Sequence, residues 1–271
     1  MGKLFGAAVV LITLVSAAFF AMHTWWLPAN ASAAGAAIDR QMEHTMIWTG
    51  ALFIAGQVVL ALFAFSSRNR DSKEKTRTFP GGAVPLVIAA MVVVGVEIFA
   101  LTFVGSKAWA AIYLAPADAD AIHIDVQAQQ FAFYFHYPGP DGRFGAVRPD
   151  KIDDGNGNYV GLDPVHDAAA RDDIVSSMLV VPVNRPIALT LHSRDVGHSF
   201  FVRELRVQQD FVPGLDVRLQ FTATQTGQFE IVCTQLCGWG HYRMKAYVRV
   251  VEPAEYDAWL ESHLRRVAAV R

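Results

Sequence analysis

Three apolar stretches fall within the first hundred or so residues, and a soluble fold of this size has no core large enough to bury all of them. Leu4 to Leu27 is broken only by His23 and a few hydroxyl residues, His44 to Phe65 carries no Lys, Arg, Asp or Glu, and Ala83 to Val104 carries one charge, Glu97. Each exceeds the roughly 20 residues that a helix needs to cross a bilayer. Composition agrees: 53% of residues are hydrophobic and 18% charged, against about 45–50% and about 25% in an average soluble domain. The excess sits in the N-terminal part, so the chain reads as a membrane part followed by a water-soluble part.

The loops set an expected orientation. Ser66 to Thr78 carries Arg68, Arg70, Lys73, Lys75 and Arg77, whereas Pro28 to Glu43 carries only Arg40. Positive residues mark the cytoplasmic side, so the third stretch runs outward and everything after Lys107 lies outside. The length of the first stretch favours a retained helix over a cleaved signal peptide, with which Lys3 and Ala31-Ser-Ala-Ala34 are also compatible. Glu97 falls past the bilayer midplane by helical rise, so it is expected to face either the first helix or a separate subunit and to bond a polar partner there.

From about Ala121 the pattern becomes short apolar runs separated by Gly, Pro and Asp. His123–Val126, Gln130–Tyr137, Met178–Val183, Ile187–His192, Val217–Ala223, Gln228–Cys233 and Met244–Val251 read as strands, and seven or so in this length suggest a β-sandwich. Asp150 to Asp173 reads as an acidic insertion of loop or short turns. Glu252 to Arg271 reads as a helix, with Pro253 at its start and Tyr256, Trp259, Leu260 and Leu264 at helical spacing. The expected fold class is therefore a membrane-anchored all-β protein. Its segments are 1–28 (first helix or signal peptide), 44–106 (a hairpin with cytoplasmic loop 66–78) and 114–271 (the outward β domain). A net charge of −2 offers no basic surface for nucleic acid.

The chemistry concentrates in one loop. Cys233-Thr-Gln-Leu-Cys237-Gly-Trp-Gly-His241-Tyr-Arg-Met244 lies between two expected strands, and Asp195-Val-Gly-His198-Ser-Phe lies upstream. Thiolate and thioether are soft ligands that favour copper, and imidazole suits it too. A single blue-copper centre uses one Cys, two His and a Met; a second Cys four residues away allows two thiolates to bridge two copper ions. Other readings stay open at this point: a disulfide, a zinc site, or a surface His241 and a packing Met244.

The segment from Asp195 to Gly214 and the segment from Cys233 to Met244 resemble the two signature segments of cytochrome c oxidase subunit II. The resemblance covers the second and third apolar stretches and the whole soluble part. It implies a cupredoxin-like β-sandwich on transmembrane helices that pack against the catalytic subunit I, and a dinuclear copper (CuA) centre. It further implies that Cys233 and Cys237 bridge the coppers, that His198 and His241 are terminal ligands, that Met244 is a weak axial ligand, and that Gln235 contributes its backbone carbonyl. Electrons are then expected to arrive from cytochrome c and to pass to haem in subunit I, where oxygen is reduced to water. The expected place is a bacterial cell membrane, with the copper domain on the periplasmic side. The copper subunit of a nitric oxide reductase, or an anchored copper-binding protein, are the alternative readings.

The chain departs from the family pattern in three places. The family usually has Glu at the position of Gln235, where the side chain also binds an interface magnesium. An amide keeps the copper contact but removes an anionic ligand for a hard cation, so the resemblance carries the copper and not the magnesium. The aromatic segment reads Gln130-Phe131-Ala-Phe-Tyr-Phe, with Phe131 where the family accepts electrons on Trp; Trp239, inside the copper loop, is the expected substitute. The family commonly has two helices, and this chain offers a third. No Cys-x-x-Cys-His is present, so the electron donor is expected to be a separate protein. From Leu114 on there are 20 acidic and 15 basic residues, a balance suited to steering a basic partner.

Overall fold

A computed structural model describes residues 2–22, 27–66 and 84–269. His23 and the five basic residues of the loop after Ser66 lie outside the described residues. The chain divides into two compact units.

The first unit is helical: Met1–Leu27 and Ala37–Ala108. Its helices are α1 (Gly2–Ala21), α2 (Gly35–Ser66) and α3 (Val84–Tyr113). All three are long and apolar enough to cross a membrane, and their outward surfaces are Leu, Val, Ile and Phe that water would not tolerate in such number. At about 1.5 Å per residue, α2 and α3 extend well beyond a hydrocarbon core of about 30 Å. The helices therefore outrun the apolar stretches that announce them. Gln41, Met42 and Glu43 are good helix formers and continue α2 where hydropathy stops. Between α2 and α3 lies a groove of about 410 Å³ lined by Gln41, His44, Trp48 and Glu97 among aliphatic side chains. The side chains that line this groove with Glu97 come from α2 and α3 rather than from the expected first helix, and Gln41 Nε2 donates to the Leu101 carbonyl at 3.3 Å.

The second unit is a two-sheet β-sandwich formed by Trp109–Arg271 together with Pro28–Ala36. One sheet has the order β3-β2-β1-β5-β8, with β1 at Ile122–Gln129, β2 at Ala132–Tyr137, β3 at Ile174–Ser176, β5 at Pro186–Ser193 and β8 at Val217–Thr222. The other runs β4-β10-β9-β6-β7, with β4 at Leu179–Pro182, β6 at His198–Val202, β7 at Val207–Phe211, β9 at Gly227–Val232 and β10 at Lys245–Val251. Alternation sends Ile124, Val126, Ala128, Phe133, Phe135, Leu189 and Leu191 inward from the first sheet, to meet Phe200, Val202, Phe211, Ile231 and Val248 from the second. Phe133 and Phe211 touch across the gap, with ring centroids 5.7 Å apart. Each such aromatic contributes about 1.5–3 kcal/mol by leaving water.

Three strands were not expected from the sequence: β3, β6 and β7. β6 and β7 hide inside the signature segment, where His198, Ser199, Gln208, Gln209 and Asp210 break the apolar alternation. Two of these polar residues, His198 and Ser199, are nevertheless buried. The segment Pro28–Ala36 was also read only as a loop. It is pinned to the sandwich: Ala31 N–H donates to the Glu204 carbonyl at 2.8 Å, Thr224 N–H donates to the Ala31 carbonyl at 2.8 Å, and Ser32 Oγ donates to the Leu205 carbonyl at 2.6 Å. The tail helix α4 (Pro253–Ala269) packs Trp259 edge-on against Tyr137, at 5.0 Å between centroids. Tyr137 ends β2 and Phe131 precedes it. At about 3.3 Å per residue, α4 therefore closes the end of the sandwich opposite Phe131.

Candidate metal centre

The hairpin β9–β10 carries the thiols. Its arms pair Val232 with Lys245, so all twelve residues from Cys233 to Met244 form the loop between them, and Cys233 N–H donates to the Met244 carbonyl at 3.1 Å to close its neck. β6 lies antiparallel to β9 with Phe201 opposite Val232. That register brings the first residue of β6, His198, to the same end as the loop, although 35 residues separate it from Cys233 in the chain.

Two glycines let the loop fold down. Phe131 lies so close to Gly240 that a Cβ there would overlap its ring, and Gly238 has a φ of +134° with the Gln130 amide against it. Gln130 ties the two segments further, donating from Nε2 to the Cys237 carbonyl at 2.5 Å and from its backbone N–H to Asp195 at 2.8 Å.

The donors converge. His198, Cys233 and Cys237 are buried and place their ligand atoms within 4.8 Å of one another. The two Sγ atoms stand 3.9 Å apart, far beyond the about 2.05 Å of a disulfide, and both cysteines are free. Met244 Sδ and His241 Nδ1 each lie 3.7 Å from Cys237 Sγ, and the Gln235 carbonyl accepts from Cys233 Sγ at 3.1 Å. All six residues named from the sequence are thus gathered in one place. The Gln235 side chain is exposed, and Trp239 is 99% exposed beside Leu236 and Tyr242, whereas Phe131 is 39% exposed.

His198 shows the state the pocket is built for. Its Nε2 bonds Asp195 Oδ1 at 2.7 Å, while Nδ1 is buried without a hydrogen-bond partner among the described residues. An unsatisfied buried nitrogen costs about 1–3 kcal/mol, and a carboxylate holding one imidazole nitrogen is the usual way to present the other to a metal. Burial works against charge at Asp195, yet the His198 ring and the Gln130 and Val196 N–H groups outweigh it and hold the carboxyl below its ordinary range. Burial also opposes ionisation of both thiols. At Cys233 the His198 ring, the Ser199 N–H and the groups around Gln235 and His241 overcome it and bring the thiol to about 6. At Cys237 burial and repulsion from Cys233 push it up to about 11. The pair gives up its first proton readily and holds its second until a cation arrives. Soft, partly pre-ionised sulfur beside an aimed imidazole fits copper.

Comparison with known proteins gives the same reading. The family described as "Cytochrome C oxidase subunit II, periplasmic domain" matches residues 156–251. The alternative cytochrome c oxidase subunit 2 of Bradyrhizobium diazoefficiens is 30% identical over 254 residues, covering 93% of this chain and 89% of that protein. Cytochrome c oxidase subunit 2 of Thermostichus vulcanus is 28% identical, covering 92% of this chain and 82% of that protein. Among solved structures, the periplasmic domain of subunit II of cytochrome oxidase from Bradyrhizobium japonicum matches with a TM-score of 0.41 and 28% identity, over 56% of this chain and 98% of that one. This chain belongs to the cytochrome c oxidase subunit 2 family, the membrane-bound copper subunit of haem-copper oxidases.

Proposed function

We propose that Cys233 and Cys237 bridge two copper ions, with His198, His241, Met244 and the Gln235 carbonyl completing a dinuclear centre. The chain then accepts electrons there from a cytochrome c and hands them to haem in subunit I for oxygen reduction. The observation that carries this reading is the buried, unpartnered His198 Nδ1 facing two free thiols. Bound copper would supply reversible one-electron exchange. The protein's part is to keep the ligands still: Asp195 fixes the His198 ring, Gln130 ties Asp195 to the loop backbone, and Phe131 supports Gly240. A site that does not rearrange keeps the cost of each transfer low. In this reading residues 1–28 and 44–106 lie in a bacterial cell membrane and the sandwich, from about residue 114, faces the periplasm.

The test is metal analysis and EPR of the purified complex. Two coppers per chain with a mixed-valence hyperfine pattern are expected. One copper with a four-line signal, or zinc in its place, would refute the dinuclear assignment.

Gln235 makes a second, separable expectation. Its exposed amide offers no anionic oxygen to a hard cation, so manganese supplied during growth should leave no tightly bound manganese EPR signal at the subunit boundary. Gln235→Glu should raise manganese retention while leaving the copper spectrum unchanged. Stoichiometric manganese in the unaltered complex would contradict this.

A further inference from the structure

The donors gathered at the loop end all come from the second sheet. His198 begins β6, and Cys233, Gln235, Cys237, His241 and Met244 belong to the β9–β10 loop. The first sheet reaches them through the turn between β1 and β2, where Gln130 and Phe131 stand. Gln130 makes two bonds there, and they lead to two different ligands. Its backbone N–H donates to Asp195 Oδ2 at 2.8 Å, and the other oxygen of that carboxylate bonds His198 Nε2 at 2.7 Å. Its side-chain Nε2 donates to the Cys237 carbonyl at 2.5 Å.

The two bonds are separable. The Asp195 bond uses main chain and survives any replacement of the side chain that keeps an N–H. Only the Cys237 bond needs the amide. A carbonyl oxygen can only accept, so the amide presents its NH2 group there and not its oxygen. The loop leaves room for it: a Cβ on Gly238 would lie 2.7 Å from Nε2. Gln130 as a residue is exposed, so the side chain adds little to the core. What it does add is one hydrogen-bond donor, aimed at the peptide of a cysteine.

We infer that Gln130 is a positioning residue that raises the reduction potential of the copper centre proposed above, on which assignment the inference rests. It acts through the Cys237 peptide and touches no metal. The carbonyl oxygen carries partial negative charge, and the amide N–H sets partial positive charge against it. Without the donor that negative charge stands unopposed beside a thiolate ligand. Negative charge favours the oxidised, more positive state of a metal centre, whereas donors and positive charge favour the reduced state. Hydrogen bonds and net charge around sulfur ligands tune iron–sulfur potentials in the same way, and groups behind the ligands tune metal sites generally.

The experiment uses the intact complex carrying Gln130→Met, Gln130→Glu or Gln130→Lys. Methionine keeps the length and loses the donor, glutamate puts a negative oxygen in its place, and lysine supplies a donor with positive charge. Each variant is titrated with reductant, with the mixed-valence EPR signal as readout and copper content measured in parallel. Copper content and hyperfine pattern should stay at the parent values. The potential should fall in Gln130→Met and fall further in Gln130→Glu, where a tenfold change in the one-electron equilibrium, about 59 mV, is expected. In Gln130→Lys it should stay at or above the parent value. A role in packing alone would impair all three variants alike and would not order them by charge. Unchanged potentials in the methionine and glutamate variants, or a fall in Gln130→Lys to match Gln130→Glu, would overturn the inference. A parent complex with no two-copper signal would overturn the copper assignment beneath it instead.

Discussion

Cys233→Ser is expected to abolish the two-copper signal entirely. Two sulfurs 3.9 Å apart can each touch both of two metal ions, whereas one sulfur cannot hold a symmetric pair. Against the cost of burial, hydrogen bonds from the His198 ring and the Ser199 N–H hold the Cys233 thiol below its ordinary range, so the coupled pair offers an anion to a cation. Serine is nearly isosteric but remains a protonated, hard oxygen at neutral pH and is a poor ligand for copper. The substitution therefore removes the ligand and leaves the packing. Met244→Leu is the informative contrast. It conserves volume at a buried position, a change that usually costs less than about 1.5 kcal/mol, and removes only the thioether that would hold copper there. Copper content should stay at the parent value while the reduction potential moves. Copper analysis, EPR and redox titration of the two variants in parallel read this out. A mixed-valence spectrum surviving in Cys233→Ser would show that the thiols do not bridge.

The copper loop was legible in the sequence because its ligands are local. Five of the six lie within the twelve residues from Cys233 to Met244, and the β9–β10 hairpin that carries them alternates clearly enough to be read. His198 stood out as a remote imidazole, but its place beside the thiols rests on the β6–β9 register, since 35 residues of chain separate it from Cys233. β6 itself was not read as a strand, for a physical reason. Strand patterns are legible when polar residues face water, and here His198 and Ser199 are polar and buried. The same blindness covered Pro28–Ala36, whose small residues Ala31 and Ser32 carry no pattern but are almost wholly buried and bonded to Glu204, Leu205 and Thr224. It also covered Asp195 and Gln130. Asp195 orients His198 through a bond that no spacing rule announces. Gln130 looked like the flank of an aromatic strand, yet it holds the copper loop by its backbone. Orientation in the membrane was read from basic residues that fall outside the described part of the chain, so it stands on the charge rule alone.

Trp239→Ala is expected to slow oxidation of the electron donor by on the order of tenfold, the loss that follows from removing about 1.4 kcal/mol of association energy. Trp239 is 99% exposed and sits two residues from each of Cys237 and His241. Exposed indole has no folding role, and the same loop also exposes Leu236 at 81% and Tyr242 at 78%. A large aromatic ring at the centre of a small patch is the residue type that dominates transient interfaces. The acidic surplus of the sandwich adds long-range attraction for a basic partner, and that part should fade with salt. The Phe131 ring is turned toward Gly238 and Gly240 and is only 39% exposed. It supports the loop more than it meets a partner. Phe131→Ala should therefore disturb the copper spectrum and leave donor affinity near the parent value, while Trp239→Ala should do the reverse. Stopped-flow oxidation of reduced cytochrome c by the intact complex, at two ionic strengths, separates the cases. Equal slowing by both variants, or a greater effect from Phe131→Ala at an unchanged copper spectrum, would return Trp239 to an idle surface residue.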